Sequence, residues 1–258
     1  MSARSLVLSL LASTDAVQLT IGTLIKAGSL FDIEAATMRV AVTRLMSTAH
    51  LKSPQRGVYV PGPKARALTS RVQQWKDVNS RKCDWNGDWL VALTQHLGRT
   101  DRKQLRARER ALGLSGYRET PQGFWIRPAN LSRPLSDHRD DLVDIGADED
   151  LLIHRVSATA TAEEKRWASL WSTEALRESY DRAIRTMEES LNILPDLTVP
   201  MAARETFLIG QSVIRSINFD PLLPPELGPD DRFCRMVETM RRYNDVGVSC
   251  WKTFRESV

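Results

Sequence analysis

The chain has little of what secreted domains and most enzymes display. Its 258 residues include three cysteines, Cys83, Cys234 and Cys250, an odd number without a CxxC pair. That usage argues against a disulfide framework and fits a reducing compartment, so a cytoplasmic location is expected. Four histidines, His50, His96, His138 and His154, are scattered without ligand spacing, and no metal is expected. A glycine-rich phosphate loop and a GxSxG nucleophile signature are both absent, which favours a binding protein over an enzyme and implies no cofactor. No apolar run approaches the ~20 residues of a membrane-spanning helix, so no membrane partner is expected. The nearest imitation of a leader is the N-terminus, where Arg4 precedes Leu6 to Ala12 and the small residues of LASTDA follow. That run is short and Ser9 interrupts it, so it reads instead as a first helix that packs on the domain behind it.

What is present is a globular composition. With 42% hydrophobic and 26% charged residues, the chain can bury a sizeable core and is long enough for two or three domains. Its formal charge of +4 is unevenly placed. Residues 1 to 80 hold ten Lys or Arg against four Asp or Glu, whereas the remaining 178 residues hold 26 against 28. A localised basic excess is what a polyanionic partner needs.

The same third carries the most informative stretch, Ile21 to Pro61. Ile21, Leu24 and Ile25 open an amphipathic segment, Gly28 and Ser29 let the chain bend, and Leu30, Phe31 and Ile33 lead into a second helix from Glu34 to Ala49. On that helix Met38, Ala41, Val42, Leu45 and Ala49 share one face by the helical period, and the opposite face carries Thr37, Arg39, Val40, Thr43, Arg44 and Ser47. Arginine can pair bidentately with guanine in the major groove, and short hydroxyl side chains can approach base edges or phosphates. An ordinary solvated face has the same composition, and the neighbouring segments decide between the two. Leu51 to Val60 reads LKSPQRGVYV: Pro54 to Gly57 supply a turn and Val58 to Val60 a strand, so Lys52, Gln55 and Arg56 sit on an exposed wing within reach of the sugar-phosphate backbone. Residues 1 to 68 are therefore expected to form a winged helix-turn-helix whose DNA-binding residues are Thr37, Arg39, Thr43, Arg44, Ser47, Lys52, Gln55 and Arg56.

A connector over residues 69 to 84 is polar apart from Val72, Trp75 and Val78, which share one helical face. Residues 85 to 160 read as a strand over Asp88 to Thr94, a helix over Arg99 to Leu114 opened by a capping box of Asp101 and Gln104, and a hairpin over Tyr117 to Ile126 turning at Pro121, Gln122 and Gly123. A helix over His138 to Gly146 and a strand over Asp150 to Ala158 complete a ferredoxin-like α+β layout. Arg102, Lys103, Arg106, Arg108 and Arg110 read first as a solvated helix face, with DNA or ligand phosphates as the sharper alternative. The six aspartates from Asp137 to Asp150 read as an exposed acidic loop paired with that helix, with a divalent-metal cluster as the alternative.

Residues 161 to 258 read as all-helical. Thr161 and Glu164 form a capping box, and Trp167, Leu170, Trp171, Leu176, Tyr180, Ile184, Met187 and Leu191 continue one stripe. Pro195 and Pro200 break the chain, a second helix carries Phe207, Leu208, Val213, Ile214 and Ile217, the turn-rich DPLLPPEL follows at Asp220 to Leu227, and a third helix runs from Asp231 to Arg242. Core packing is the first reading of these helices, and dimerisation or effector binding the functional one.

Several landmarks together resemble the PaaX-like repressors of phenylacetate catabolism, across nearly the whole chain. They are SARSLVLSLL at 2 to 11, LIKAGSLFDIEAATMRVAVTRLMSTAHL at 24 to 51, GVYVPG at 57 to 62, WNGDWLVAL at 85 to 93, QGFWIRP at 122 to 128, LWSTEAL at 170 to 176 and DPLLPPEL at 220 to 227. The resemblance implies a cytoplasmic bacterial regulator with a winged-helix domain, a ferredoxin-like middle and a helical C-terminal domain, acting as a homodimer that phenylacetyl-coenzyme A releases from double-stranded operator DNA. It places Thr37, Arg39, Thr43 and Arg44 on the recognition helix and Arg56 on the wing. The chain departs from the family at Gly228 to Phe233, where a tryptophan is common, and in its short wing. A reading of another class is a metal-dependent nucleic-acid-processing enzyme using Asp84 or Asp88 beside the first strand of the middle unit.

Overall fold

In the computed structural model, residues 1–13, 18–65, 72–157 and 161–257 are described. The expected boundary at 68, the small residues Thr14 to Ala16 and the expected strand end at Ala158 lie outside the described residues. In chain order the elements are α1 (Ala3–Ser13), β1 (Leu19–Thr20), α2 (Ile21–Ser29), α3 (Ala35–Ser47), β2 (Leu51–Gln55), β3 (Val58–Pro61), a short 3-10 segment (Gln74–Arg81), β4 (Trp89–Leu93), α4 (Arg102–Leu114), β5 (Arg118–Glu119), β6 (Trp125–Pro128), α5 (Leu135–Asp144), β7 (Leu152–Val156), α6 (Thr161–Ala168), α7 (Thr173–Ile193), α8 (Val199–Asn218) and α9 (Asp230–Glu256). The architecture is mixed α+β with two small antiparallel sheets and a helical C-terminal region. By proximity the chain divides into two compact units: Met1–Lys76, Ala183–Asn218 and Val237–Val258 make one, and Asp77–Arg182 with Phe219–Met236 the other. The segment expected to be one C-terminal domain, 161–258, is thus shared between the units.

In the first unit the apolar faces of α1, α2 and α3 meet. Leu6, Val7, Leu10 and Leu11 from α1, Leu24 and Ala27 from α2, and Met38, Ala41, Val42 and Leu45 from α3 are buried together with Ala203, Phe207 and Phe254. Each large aliphatic side chain buried there contributes about 1.5–3 kcal/mol, which holds three short helices that would be marginal alone. The three-stranded sheet has the order β1-β3-β2, with Leu19 opposite Tyr59 and Leu51 opposite Pro61. The expected four-residue turn at Pro54 to Gly57 is shorter: only Arg56 and Gly57 join the strands, and Gly57 takes a φ of +79°. Pro54 lies inside β2, where the register shifts between Lys52 and Gln55. An edge strand with an irregular ladder tolerates proline because no amide hydrogen is required there. The helix expected to end at Arg242 continues to Glu256. Gly247 does not stop it, and faces α8, where a Cβ at that position would meet Thr206 Cβ at 3.4 Å.

The second unit is built on the four-stranded sheet β5-β6-β4-β7. Alternation along β4 sends Leu90 and Ala92 to one face, against Ala111 and Leu112 of α4 and Leu142 of α5, and Trp89 and Val91 to the other, against Trp167, Trp171 and Leu223. Trp89 meets Trp167 edge-on at 5.4 Å and stacks on Trp171 at 6.1 Å. The single stripe expected from Trp167 to Leu191 is interrupted between α6 and α7. The DPLLPP segment is held by buried polar groups: Asn130 Nδ2 donates to Leu222 O at 2.7 Å, and the Arg127 guanidinium donates to the carbonyls of Pro221, Ser115 and Pro128 and to Asn130 Oδ1. Gly116, at φ +82°, lets the segment approach closely, since a Cβ there would lie 2.9 Å from Pro221 Cα.

Candidate nucleic-acid interface

Thr20 opens α2 by accepting a hydrogen bond from the Thr23 amide at 3.1 Å, the side-chain cap that an exposed helix start requires. The bend after α2 closes on Gly28 O, which accepts from the Phe31 and Ile33 amides, both at 3.0 Å, with Asp32 at φ +56°. Glycine is needed at 28 because a Cβ would come within 2.8 Å of Met38 Cγ, so the crossing of α2 and α3 depends on it. At the far end α3 stops at Ser47 rather than at the expected Ala49, which adopts φ +58°. His50 N then donates to Leu45 O and Gly62 N to His50 O, at 2.9 and 2.8 Å, so the hairpin is tied to the end of α3.

This framework sets the orientation of α3. Met38 and Leu45 are essentially without solvent exposure, while Thr37, Arg39, Val40, Thr43, Arg44 and Ser47 are all exposed, as are Lys52, Gln55 and Arg56 on the hairpin. The eight expected contact residues therefore fall into two exposed groups, five on α3 and three on the hairpin, within one unit. Among the described residues no carboxylate pairs with Arg39, Arg44, Lys52 or Arg56. Two such cations on α3 and two on the hairpin that follows it suit an anionic partner. Lys26 is different: it donates to Ser257 O and lies 4.9 Å over the Phe254 ring, so its charge is spent within the unit. The hydroxyls are also not equivalent. Thr43 Oγ1 donates to Arg39 O at 3.0 Å and Ser47 Oγ to Arg44 O at 2.9 Å, which leaves each with acceptor capacity facing outward, suited to a base amino group better than to a phosphate. Val40, an apolar residue that the helical period places on this same face, is 50% exposed there.

The other charged features of the chain are differently disposed. Arg108, expected on a solvated row, is 2% exposed and donates through Nε and Nη2 to Asp148 at 2.6 and 3.0 Å and to Gly98 O. Arg102, Lys103, Arg106 and Arg110 remain exposed. The hydrogen bonds from Arg108 hold the Asp148 carboxyl below the ordinary carboxylate range. Asp101 caps α4 by accepting from the Lys103 and Gln104 amides, but Gln104 does not return the bond: its side chain donates to Gly146 O. Asp88 is buried and tied to Asn86 and Arg155 at 3.1 and 3.2 Å, and although desolvation works against its ionised form, those bonds and one from Ser157 keep its carboxyl low. Asp84 is exposed. Among the described residues no group of three or more His, Cys, Asp or Glu is placed to hold a metal ion, and no helix is long and apolar enough to cross a membrane.

No protein-family model matches the chain, and no curated protein does. Among solved structures it is similar to the uncharacterized protein Rv0674 from Mycobacterium tuberculosis, with a TM-score of 0.68 and 23% sequence identity over 98% of this chain and 99% of that one. At that identity the likeness is one of fold.

Proposed function

We propose that the chain is a dimeric transcriptional repressor that binds double-stranded operator DNA through a winged helix-turn-helix made of α1, α2, α3 and the β2–β3 hairpin, and that an aryl- or other acyl-coenzyme A such as phenylacetyl-coenzyme A releases it. One observation carries the reading: α3 buries one face and presents Arg39 and Arg44 on the other, followed at once by a hairpin with Lys52 and Arg56, and none of the four is ion-paired among the described residues. In this reading α3 enters the major groove, Arg39 or Arg44 pairs with guanine, and the hairpin lies on the sugar-phosphate backbone, each phosphate contact releasing counterions. The β–α–β–β–α–β order of the second unit, with strand order β5-β6-β4-β7, supports a ferredoxin-like middle domain. The homodimer and the effector rest on the resemblance to PaaX-like repressors, and release requires that the effector bind the DNA-free arrangement more tightly than the DNA-bound one.

The test is a mobility-shift titration of the full chain on the DNA upstream of its own coding sequence and on a randomised pool, with and without phenylacetyl-coenzyme A and a panel of other acyl thioesters. Specific retention released by one thioester is the expected result. No specific retention of any duplex, or Mg²⁺-dependent cleavage lost on Asp88→Ala, would overturn it in favour of a nucleic-acid-processing enzyme.

A further inference from the structure

We infer that Val40 reads the 5-methyl group of a thymine in the major groove, so that the preferred duplex carries an A·T pair beside the position read by arginine. This rests on the DNA-binding reading above and names the base chemistry its central residue recognises. Val40 is 50% exposed. At about 100° per residue it lies within about 20° of the middle of the exposed arc that runs from Arg39 to Thr37, opposite Met38, Ala41, Val42 and Leu45. Its helical neighbours one turn away are Ala36, Thr37, Thr43 and Arg44, all exposed. A β-branched residue gives an exposed helix no propensity advantage, and Ala or a charged residue would serve better in water.

An apolar side chain bordered by the Thr37 and Thr43 hydroxyls and the Arg44 guanidinium, with only the small Ala36 beside it, is poorly suited to docking on an apolar protein surface. It is well suited to a surface that is acidic at its edges and carries one isolated methyl at its centre. The major groove of B-DNA is that surface: thymine presents a methyl group among hydrogen-bonding atoms, and apolar side chains discriminate it from cytosine. Ala36, one turn before Val40, adds little bulk and permits close approach. RNA offers neither feature, since uracil lacks the methyl and the A-form major groove is too narrow for side chains to read. The face therefore selects DNA over RNA as well as thymine over its competitors.

The experiment enriches bound duplexes from a random pool with the full chain, then replaces each thymine of the enriched site, one at a time, by deoxyuridine. Loss of the methyl at the contacted thymine is expected to weaken wild-type binding about fourfold, the equivalent of one buried methyl group. The same replacement is expected to leave Val40→Ala unaffected, and Val40→Thr, which keeps one γ-methyl, to retain part of the discrimination. Circular dichroism of both variants checks that the fold is intact. Enrichment of a site in which every deoxyuridine replacement costs wild type and Val40→Ala equally overturns the role of Val40 and leaves the DNA-binding reading standing. Failure to enrich any duplex overturns both.

Discussion

The two units use the same side chain in opposite ways. In the first, Arg39, Arg44 and Arg56 are exposed and form no ion pair with a carboxylate among the described residues. In the second, Arg108 and Arg127 are buried at 2% and 3% exposure with their donors committed, Arg108 to Asp148 and Gly98 O, Arg127 to three carbonyls and an amide oxygen. A buried guanidinium must exchange its hydration for fixed acceptors, which makes it a structural crosslink. An exposed one keeps its hydration and its charge, and is free to exchange water for an incoming anion. Charge counts treat the two alike, and only the location of acceptors separates them.

The comparison breaks first if a buried arginine proves dispensable. Arg127→Leu would leave the carbonyls of Ser115 and Pro221 and the Asn130 side chain without their donor in the interior of the second unit. Each orphaned group costs about 1–3 kcal/mol, partly offset because a charge is no longer buried, so urea unfolding should show a loss of about 3 kcal/mol or more. Stability equal to wild type would mean that desolvation already cancels the bonds. Burial also depresses the Arg127 guanidinium to about 10, which leaves it charged at neutral pH.

A buried acid in the same unit tests the next smaller effect. Burial raises the Asp220 carboxyl to about 6, although Tyr180 donates to it at 2.6 Å and the Leu222 amide at 2.8 Å. With the folded value above the 3.8 of an exposed aspartate, the folded chain holds a proton between those values that the unfolded chain releases. The stability Asp220 contributes is therefore full below about pH 4 and is lost as pH rises through about 6. Asp220→Asn should flatten the fall in unfolding free energy between pH 4 and 7 by about 2–3 kcal/mol. An unchanged profile would show that Asp220 ionises like an exposed carboxylate.

How much of this was legible depends on how local each cause is. The two faces of α3 were readable because burial there follows the helical period over a few turns, and every expected contact residue is exposed. The sequence of elements over residues 85–157 was readable from local pattern, and any strand order could come only from the layout that this sequence of elements suggests, because the pairing of β4 with β7 joins segments about sixty residues apart. Arg108 looked like its neighbours on α4, since its partner Asp148 lies 40 residues downstream. The two-residue β1 carries too short a pattern to see and exists because it pairs with β3. The committed hydroxyls of Thr43 and Ser47 depend on rotamers, about which residue type is silent.

On the exposed side the comparison sharpens through DNA binding. Arg44→Ala should lower specific affinity by about 1–3 kcal/mol if that guanidinium pairs with a base, while changing folding stability by no more than about 0.5 kcal/mol, because the side chain is exposed and only the Arg44 carbonyl, which alanine keeps, accepts hydrogen bonds from Ser47 and Thr48. A stability loss as large as that of Arg127→Leu would place Arg44 among the crosslinks.

The smallest effect is the most diagnostic of how the hairpin works. Lys52 lies in an edge strand of irregular register and Arg56 in the two-residue loop that follows it, a geometry that offers charge without a rigid array of donors. Such residues suit phosphate contact, which carries no sequence information and acts through counterion release. Lys52→Ala and Arg56→Ala should therefore weaken binding to specific and unrelated duplexes in the same proportion. Each should reduce the slope of log affinity against log salt by about 0.9, the value for one lost phosphate contact. If Arg56→Ala instead leaves the slope unchanged and alters which duplexes are enriched from a random pool, its guanidinium reads bases. The division between a reading helix and a merely electrostatic hairpin would then move to the loop at Gly57.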